Sequence, residues 1–331
     1  MNLLSLFDGM SCGQIALNRL GIKVDNYYAS EIDKYAIEVA NRNYPDTIQL
    51  GDVIKVNGSK LPQIDLLFGG SPCQGFSFAG KQLNFNDPRS ALFFEFVRLL
   101  KECKPKYFLL ENVRMKQEYQ DIISQYLGVK PIAINSSLVS AQNRHRLYWT
   151  NIQVTSLPDD KRIILSDILE DNVNGEYQEP YVKLNGKTSG QIGFVGNNTS
   201  QSGRIFSTDG KSVTIKANGG GQGANTGLYQ IKCGAIRGRQ LTLGSSKYTQ
   251  MIEVREDCKT NTLTTVKKDN VVIGSESHYR KLTPTECERL QTVPDGYTSG
   301  VSNTQRYKML GNGWTVDVIV HLLKNIKEET L

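Results

Sequence analysis

Across roughly its first 185 residues the chain alternates short apolar runs with amphipathic helical patterns, and few folds accommodate that order. Leu3 to Phe7 reads as a strand and Gly13 to Leu20 as a helix. Tyr27 to Ile32 reads as a second strand, followed by a helix from Asp33 to Asn43. Ile64 to Phe68 is a buried strand running into Gly69-Gly70. Ala91 to Cys103 is an amphipathic helix with Leu92, Phe93, Phe96, Leu99 and Leu100 on its inward face. Tyr107 to Leu110 is another buried strand, ending at Glu111, and Pro131 to Leu138 continues the alternation. This pattern predicts an α/β fold: a doubly wound, mostly parallel sheet with helices on both faces. Such sheets bind their ligands at the carboxyl ends of the strands, so chemistry is expected among the residues that follow each apolar run.

Composition changes near Gly186. From there to Gly274 the chain holds 15 of its 30 glycines, is rich in Thr, Ser and Asn, and shows little helical periodicity. It also carries 12 Lys and Arg against 5 Asp and Glu, while the rest of the chain is close to neutral, so the overall excess of +6 sits in this segment. A local positive excess suits a polyanionic partner, because Lys and Arg gain affinity by displacing counterions from phosphates; a solvated basic surface is the plainer alternative. Helical patterning returns at Thr283, where Thr283-Pro284-Thr285-Glu286 has the form of a capping box with Pro at the first helical position. Thr315 to Asn325 reads as a last amphipathic helix. The expected organisation is a catalytic and cofactor-binding domain over 1–185, a smaller irregular β domain inserted over 186–274, and a segment 275–331 that completes the first domain.

The apolar start, Met1 to Phe7, lacks the basic residues and cleavage site of a signal peptide, and no run approaches a transmembrane span. A cytoplasmic protein with no membrane partner is expected. The six cysteines have neither metal-ligand nor redox spacing, and with three scattered histidines no metal site is expected.

Four groups of residues could carry chemistry. Ser71-Pro72-Cys73-Gln74 follows a buried strand and opens a polar loop that runs to about Arg89; a cysteine at a strand's carboxyl end lies where catalytic groups gather, and its thiolate would be the reactive form. Glu111-Asn112-Val113 ends the next buried strand, where a carboxyl beside apolar residues can act as a proton donor. Gln142-Asn143-Arg144-His145-Arg146 places two arginines at alternate positions, suited to phosphate or carbonyl oxygens. At the other end, Phe7-Asp8-Gly9-Met10-Ser11 forms a tight turn after the first strand, with Glu31 ending the second strand and Asp52 the third. An acidic residue in Glu31's position suits ribose hydroxyls, and the absence of a full G-x-G-x-x-G argues for a nucleoside-containing cofactor other than a dinucleotide.

In their order and spacing these groups resemble the DNA cytosine-5 methyltransferase family. Leu6-Phe7-Asp8-Gly9 is similar to its first cofactor motif, Pro72-Cys73-Gln74 to its nucleophile motif and Glu111-Asn112-Val113 to its glutamate motif. Gln142-x-Arg144-x-Arg146 is similar to its Q-x-R-x-R motif, and the segments Arg280 to Leu290 and Gln305 to Asn312 to its last two motifs. Two places depart from the usual pattern, Asp8-Gly9-Met10-Ser11-Cys12-Gly13 and Gly311-Asn312-Gly313-Trp314, and both are similar to the vertebrate de novo branch. The resemblance implies the Rossmann-like fold of S-adenosylmethionine-dependent methyltransferases. It implies S-adenosylmethionine as cofactor, held by Phe7, Gly9, Glu31, Asp52, Asn312 and Trp314, and double-stranded DNA as substrate. It implies that Cys73 adds covalently to a flipped cytosine, that Glu111 protonates or hydrogen-bonds the ring nitrogen, that Arg146 binds the carbonyl oxygen, and that Arg144 binds a nearby backbone or loop group. Gln74, Ser77 and Arg89 are expected to meet DNA from the loop after Cys73.

The glycine-rich segment occupies the place of that family's target-recognition domain. There Gln201 is expected to fill the gap left by the flipped base, Arg204 to read a guanine, and Thr214 and Ile215 to pack near the DNA backbone. A bacterial or phage enzyme acting as a monomer on DNA, with no obligate protein partner, is the resulting expectation. An RNA cytosine methyltransferase of the same architecture and a non-catalytic DNA-binding relative are the alternatives. Ser71 in place of Pro and the absence of a Cys-Phe-Thr element disfavour the first, and the presence of both Cys73 and Glu111 disfavours the second.

Overall fold

A computed structural model of the chain describes residues 1–70, 91–170 and 282–326 and, between 181 and 281, the backbone of a series of short strands. In chain order the first elements are β1 (Asn2–Leu6), α1 (Cys12–Leu20), β2 (Asn26–Ser30), α2 (Lys34–Asn43), β3 (Ile48–Gln49), β4 (Leu66–Gly69), α3 (Ala91–Cys103), β5 (Tyr107–Val113), α4 (Gln117–Leu127), β6 (Ile132–Asn135), β7 (Gln142–Asn143) and β8 (His145–Thr150). The short strands that follow are β9 (Tyr181–Lys183), β10 (Gln191–Val195), β11 (Arg204–Ser207), β12 (Leu228–Gln230), β13 (Gly234–Arg239), β14 (Thr249–Val254), β15 (Thr260–Asn261), β16 (Val271–Ile273) and β17 (Tyr279–Lys281). The helices α5 (Pro284–Leu290), α6 (Asn303–Asn312) and α7 (Val316–Leu323) close the described chain. Among the described residues no helix is long and apolar enough to cross a membrane.

The chain divides into two compact units. The first comprises Met1–Ile134, His145–Leu157 and Val316–Leu331, and the second Asn135–Arg144 and Pro158–Thr315. The expected boundaries at 185/186 and 274/275 fall outside the described residues.

The first unit is built on a seven-stranded sheet of order β3-β2-β1-β4-β5-β8-β6. Its strands β3, β2, β1, β4 and β5 pair in parallel, as the alternation predicted, and β8 runs antiparallel to β5. The parallel strands are apolar because they are covered on both faces: Leu3, Leu4, Leu6, Leu66, Leu67 and Phe68 are fully buried. On one side α3 delivers Phe93, Phe96 and Leu99 into a core with Leu4, Leu6, Leu67, Leu110 and Trp149; Leu92 and Leu100 stay at its rim, partly buried. Gly69 is required by that packing, since a Cβ there would lie 2.4 Å from a ring carbon of Phe96. On the other side α1 and α7 pack together and share the Arg19–Asp317 ion pair.

Strand bounds differ from the sequence reading: β2 stops at Ser30 rather than Ile32, and β4 starts at Leu66 rather than Ile64. β5 does not end at Glu111 but continues to Val113, because the antiparallel β8 supplies partners for Glu111, Asn112 and Val113 in Tyr148, Leu147 and Arg146.

In the second unit β12-β11-β10-β9 and β14-β13-β16-β17 form two four-stranded sheets, and β15 pairs with β7. The helix α5 starts as its sequence predicts: Thr283 Oγ1 accepts from the Glu286 N–H while the Glu286 carboxylate accepts from the Thr283 N–H, with Pro284 at the first turn.

Candidate active site

The register of the sheet determines what can meet at its carboxyl edge. Gly69 at the end of β4 is aligned with Leu110 of β5, so the end of β4 lies level with the residue that precedes Glu111. Glu111 lies opposite Tyr148, and Arg146 lies opposite Val113. Residues two apart on a strand face the same way, so Glu111 and Arg146 are diagonal neighbours on one face. Their side chains meet: Arg146 Nε is 2.9 Å from Glu111 Oε1, and both are close to nine-tenths buried. The approach is an ion pair without hydrogen-bond alignment, since Glu111 Oε1 is buried and accepts no hydrogen bond. The Arg146 Nη1 instead donates to the carbonyl of His145 at 2.9 Å. A buried carboxylate oxygen without a hydrogen-bond donor is costly, by about 1–3 kcal/mol, and groups of that kind gather where a ligand completes the set. Side by side, a carboxyl and a guanidinium can hold a planar heterocycle that offers both a ring nitrogen and a carbonyl oxygen.

Cys73 lies outside the described residues, as do Gln74, Ser77 and Arg89. The described cysteines do not compete for its role. Cys12, Cys103 and Cys287 are buried. Burial pushes the Cys103 thiol up, with the Glu102 charge adding to it. Burial, reinforced by Glu286 and Glu288, pushes the Cys287 thiol well above the usual range. A reactive thiolate requires the opposite shift.

The turn after β1 is shaped by left-handed backbone at alternate residues: Phe7 at φ 58°, Gly9 at 59° and Ser11 at 63°. Asp8 turns both carboxyl oxygens inward, one accepting from Tyr27 Oη at 2.6 Å and the other from Ser11 Oγ. Burial raises its pKa to about 6 against the lowering effect of the Ser11, Ser5 and Tyr27 hydrogen bonds, with the Glu31 charge adding to the rise. Glu31, just past β2, accepts from the N–H of Gly9 at 2.8 Å, Ile32 at 2.7 Å and Asp33 at 2.9 Å. A carboxylate has about four lone-pair sites, so one remains for an outside donor such as a hydroxyl. Asp33 caps α2 through the N–H of Tyr35, and Asp52 caps the short turn 53–55 through the N–H of Ile54. Ile32 and Ile54, beside these acids, are 77% and 64% exposed, although large aliphatic side chains are usually covered. A carboxylate with spare capacity and apolar side chains open to an aromatic ring fit the adenosine part of S-adenosylmethionine.

In the second unit Arg144 is buried, and its guanidinium donates to the carbonyls of Gly311 at 3.2 Å and Gly313 at 2.8 Å, at the end of α6. Asn312 is exposed and Trp314 buried. Gln291, Gln142, Ser136, Ser140 and Thr315 are buried together and joined by hydrogen bonds, a network with no local sequence signal because its members lie far apart in the chain. Asp8 and Gln142 stand inside recognisable motifs, and that position is the one signal that could have singled them out. Gln201, Thr214 and Ile215 fall outside the described residues. Arg204 opens strand β11, where the backbone alone is described.

The C-5 cytosine-specific DNA methylase family model matches residues 1–328. An orphan methyltransferase of Bacillus phage SPR, M.SPRI, is 29% identical, with 98% of this chain and 97% of that protein covered. The type II methyltransferase M.HhaI of Haemophilus parahaemolyticus is 27% identical over 98% of this chain and 94% of its own length. Among solved structures, the Entamoeba histolytica methyltransferase EhMeth has the same fold, with a TM-score of 0.63 at 17% identity and 99% of both chains covered. A DNA modification methyltransferase encoded in an E. coli prophage gives 0.61 at 20% identity, with 98% of both chains covered.

Proposed function

Since the chain belongs to the C-5 cytosine-specific DNA methylase family and is a DNA (cytosine-5-)-methyltransferase, we propose that it methylates a cytosine flipped out of a specific short duplex sequence through a covalent bond to Cys73. The observation that carries this reading is the Glu111–Arg146 pair, buried at the carboxyl edge of the sheet with a carboxylate oxygen that accepts no hydrogen bond.

Carbon 5 of cytosine is a poor nucleophile and is shielded in the stack, so the base must first be extruded, at a few kcal/mol of unstacking. The Cys73 thiolate then forms a bond from Sγ to carbon 6. Glu111, in its protonated form, donates a proton or hydrogen bond to the ring nitrogen, so the electron pair displaced by the attack becomes available at carbon 5. Arg146 holds the ring's carbonyl oxygen. S-adenosylmethionine, when bound, supplies the methyl group. Loss of the proton from carbon 5 and of the Cys73 thiolate from carbon 6 restores the aromatic ring and frees the enzyme. Phe7, Gly9, Glu31 and Asp52 are proposed to hold the cofactor, Glu31 through a ribose hydroxyl, with Asn312 and Trp314 as further contacts. Gln74, Ser77 and Arg89, with Gln201, Arg204, Thr214 and Ile215, are proposed to meet the DNA, Arg204 at a guanine. The proposed site of action is the bacterial cytoplasm, for a bacterial or phage-encoded chain working as a monomer on DNA.

Labelled methyl donor offered with random-sequence duplex DNA and, separately, with transfer RNA tests the reading. Label recovered as 5-methyldeoxycytidine is expected. Label in RNA, or on an exocyclic nitrogen of DNA, would contradict it.

A further inference from the structure

The helix α6 ends where its last carbonyls would ordinarily be left without partners. The Gly313 N–H closes back on the Met309 carbonyl at 2.8 Å, which by itself is an adequate ending. The structure goes well beyond that. Gln291 is completely buried, and its amide nitrogen donates to the Leu310 carbonyl at 2.6 Å and the Gly313 carbonyl at 3.1 Å. Its amide oxygen accepts from Thr315 Oγ1 at 2.8 Å and Gln142 Nε2 at 3.1 Å. Arg144 adds its bonds to the Gly311 and Gly313 carbonyls. Its buried positive charge is well placed at a helix C-terminus, where the carbonyls carry partial negative charge. Ser136 Oγ donates to Thr315 Oγ1 at 2.8 Å, and Ser140 Oγ donates to the Leu290 carbonyl at 2.5 Å, which anchors the residue before Gln291.

The bonds therefore fall on either side of two residues. The carbonyls of Gly311 and Gly313 bracket Asn312, and the Gly313 carbonyl and Thr315 hydroxyl bracket Trp314. These are the two residues of this segment proposed above to contact the cofactor. Ending a helix does not require them, and a stretch holding two glycines, Gly311 and Gly313, has much conformational freedom to lose.

We propose that Gln291, seconded by Arg144, is a positioning residue for the cofactor: it fixes the backbone from Leu310 to Thr315 so that Asn312 and Trp314 are already arranged when S-adenosylmethionine arrives. The inference rests on the functional reading above. Gln291 is suited to the task because one side chain must donate to two carbonyls and accept from a hydroxyl and an amide, which neither Glu nor Met can do.

Equilibrium binding of S-adenosylhomocysteine, followed by calorimetry well below the melting temperature, tests it without turnover. Gln291→Met is expected to bind roughly tenfold more weakly, the effect of about one lost buried hydrogen-bond set, with duplex DNA affinity kept. Arg289→Gln is the structural control. It loosens α5, the helix that ends just before Gln291, from Asp295 and from the Ile168 and Leu169 carbonyls, and is expected to lower the melting temperature while keeping cofactor affinity within about twofold. Should Gln291→Met not fold, Thr315→Val removes the hydroxyl alone and is expected to weaken binding about threefold. Unchanged affinity in whichever variant is folded overturns the inference alone. A wild-type chain that does not bind S-adenosylhomocysteine overturns the functional reading along with it.

Discussion

Glu111 and Glu288 are both buried carboxylates, one in each unit, and they are treated in opposite ways. Glu288 Oε1 accepts from the Thr298 N–H at 2.8 Å, from Thr298 Oγ1, and from Arg306 Nη2 at 3.0 Å, while its Oε2 accepts from the Gly296 N–H at 2.7 Å. Glu111 has a guanidinium at the same distance class, 2.9 Å, yet its Oε1 accepts no hydrogen bond. A buried charge whose hydrogen bonds are complete is stabilised in place; one whose bonds are incomplete carries an unmet cost that a bound molecule could offset. On the proposed function, the contrast separates a carboxylate that keeps the chain folded from one that acts, without reference to their place in any motif.

The comparison predicts a crossed result for two isosteric changes. Glu111→Gln removes the proposed proton donor, and turnover is expected to fall roughly a thousandfold, within the usual range for a lost general acid, while DNA binding persists. Methyl-transfer rates at saturating DNA measure it; near-normal rates would remove Glu111 from the chemistry. Glu288→Gln breaks a completed buried ion pair and is expected to cost about 3 kcal/mol of stability, with the rate per folded molecule unchanged. Thermal unfolding beside an active-site titration reads both. If the two changes had the same effect on rate and on stability, completeness of hydrogen bonding would not separate the two carboxylates.

Asp8 sharpens the comparison from between the extremes, since it is hydrogen-bonded and yet has its pKa raised to about 6. A carboxyl whose folded pKa lies above its unfolded value binds more protons when folded, so stability falls as pH rises from about 4 to about 6 and then levels off. The shift corresponds to roughly 2–3 kcal/mol. Asp8→Asn is expected to flatten that fall, seen in denaturant midpoints collected across the window; an unaltered profile would mean that Asp8 is not the group responsible. The smallest expected effect is at Gly9, where φ is 59° and a Cβ would meet nothing within 4 Å. Gly9→Ala therefore costs only the left-handed backbone, about 1 kcal/mol, visible as a small loss of melting temperature. A much larger loss would reveal a steric role.

Legibility in the sequence follows the range of the forces involved. The parallel strands and α3 were readable because burial on both faces writes continuous apolar runs and a 3.6-residue stripe, and the start of α5 because a capping box is four consecutive residues. Glu31, Glu111 and Arg146 were readable as candidates because they stand at strand ends or in ordered motifs. The extension of β5 to Val113 was not, since its partner β8 lies some 35 residues on and antiparallel pairing leaves no mark on β5 itself. Gln291 and Glu288 were not readable either. A polar residue in or just after a short helix looks solvent-exposed until the elements that bury it are placed, and Gln142 is 149 residues from its partner.

The most direct test of the account is covalent trapping. In the proposed mechanism, duplex DNA of random sequence carrying 5-fluorocytosine, incubated with the chain and S-adenosylmethionine, would not release the enzyme, because fluorine replaces the proton that must leave carbon 5. The account predicts a stable protein–DNA adduct that peptide mass analysis places at Cys73, formed by the wild type and slowed roughly a thousandfold in Glu111→Gln. Folded wild-type chain that binds the duplex and the donor but yields no adduct, or an adduct at another residue, would contradict it.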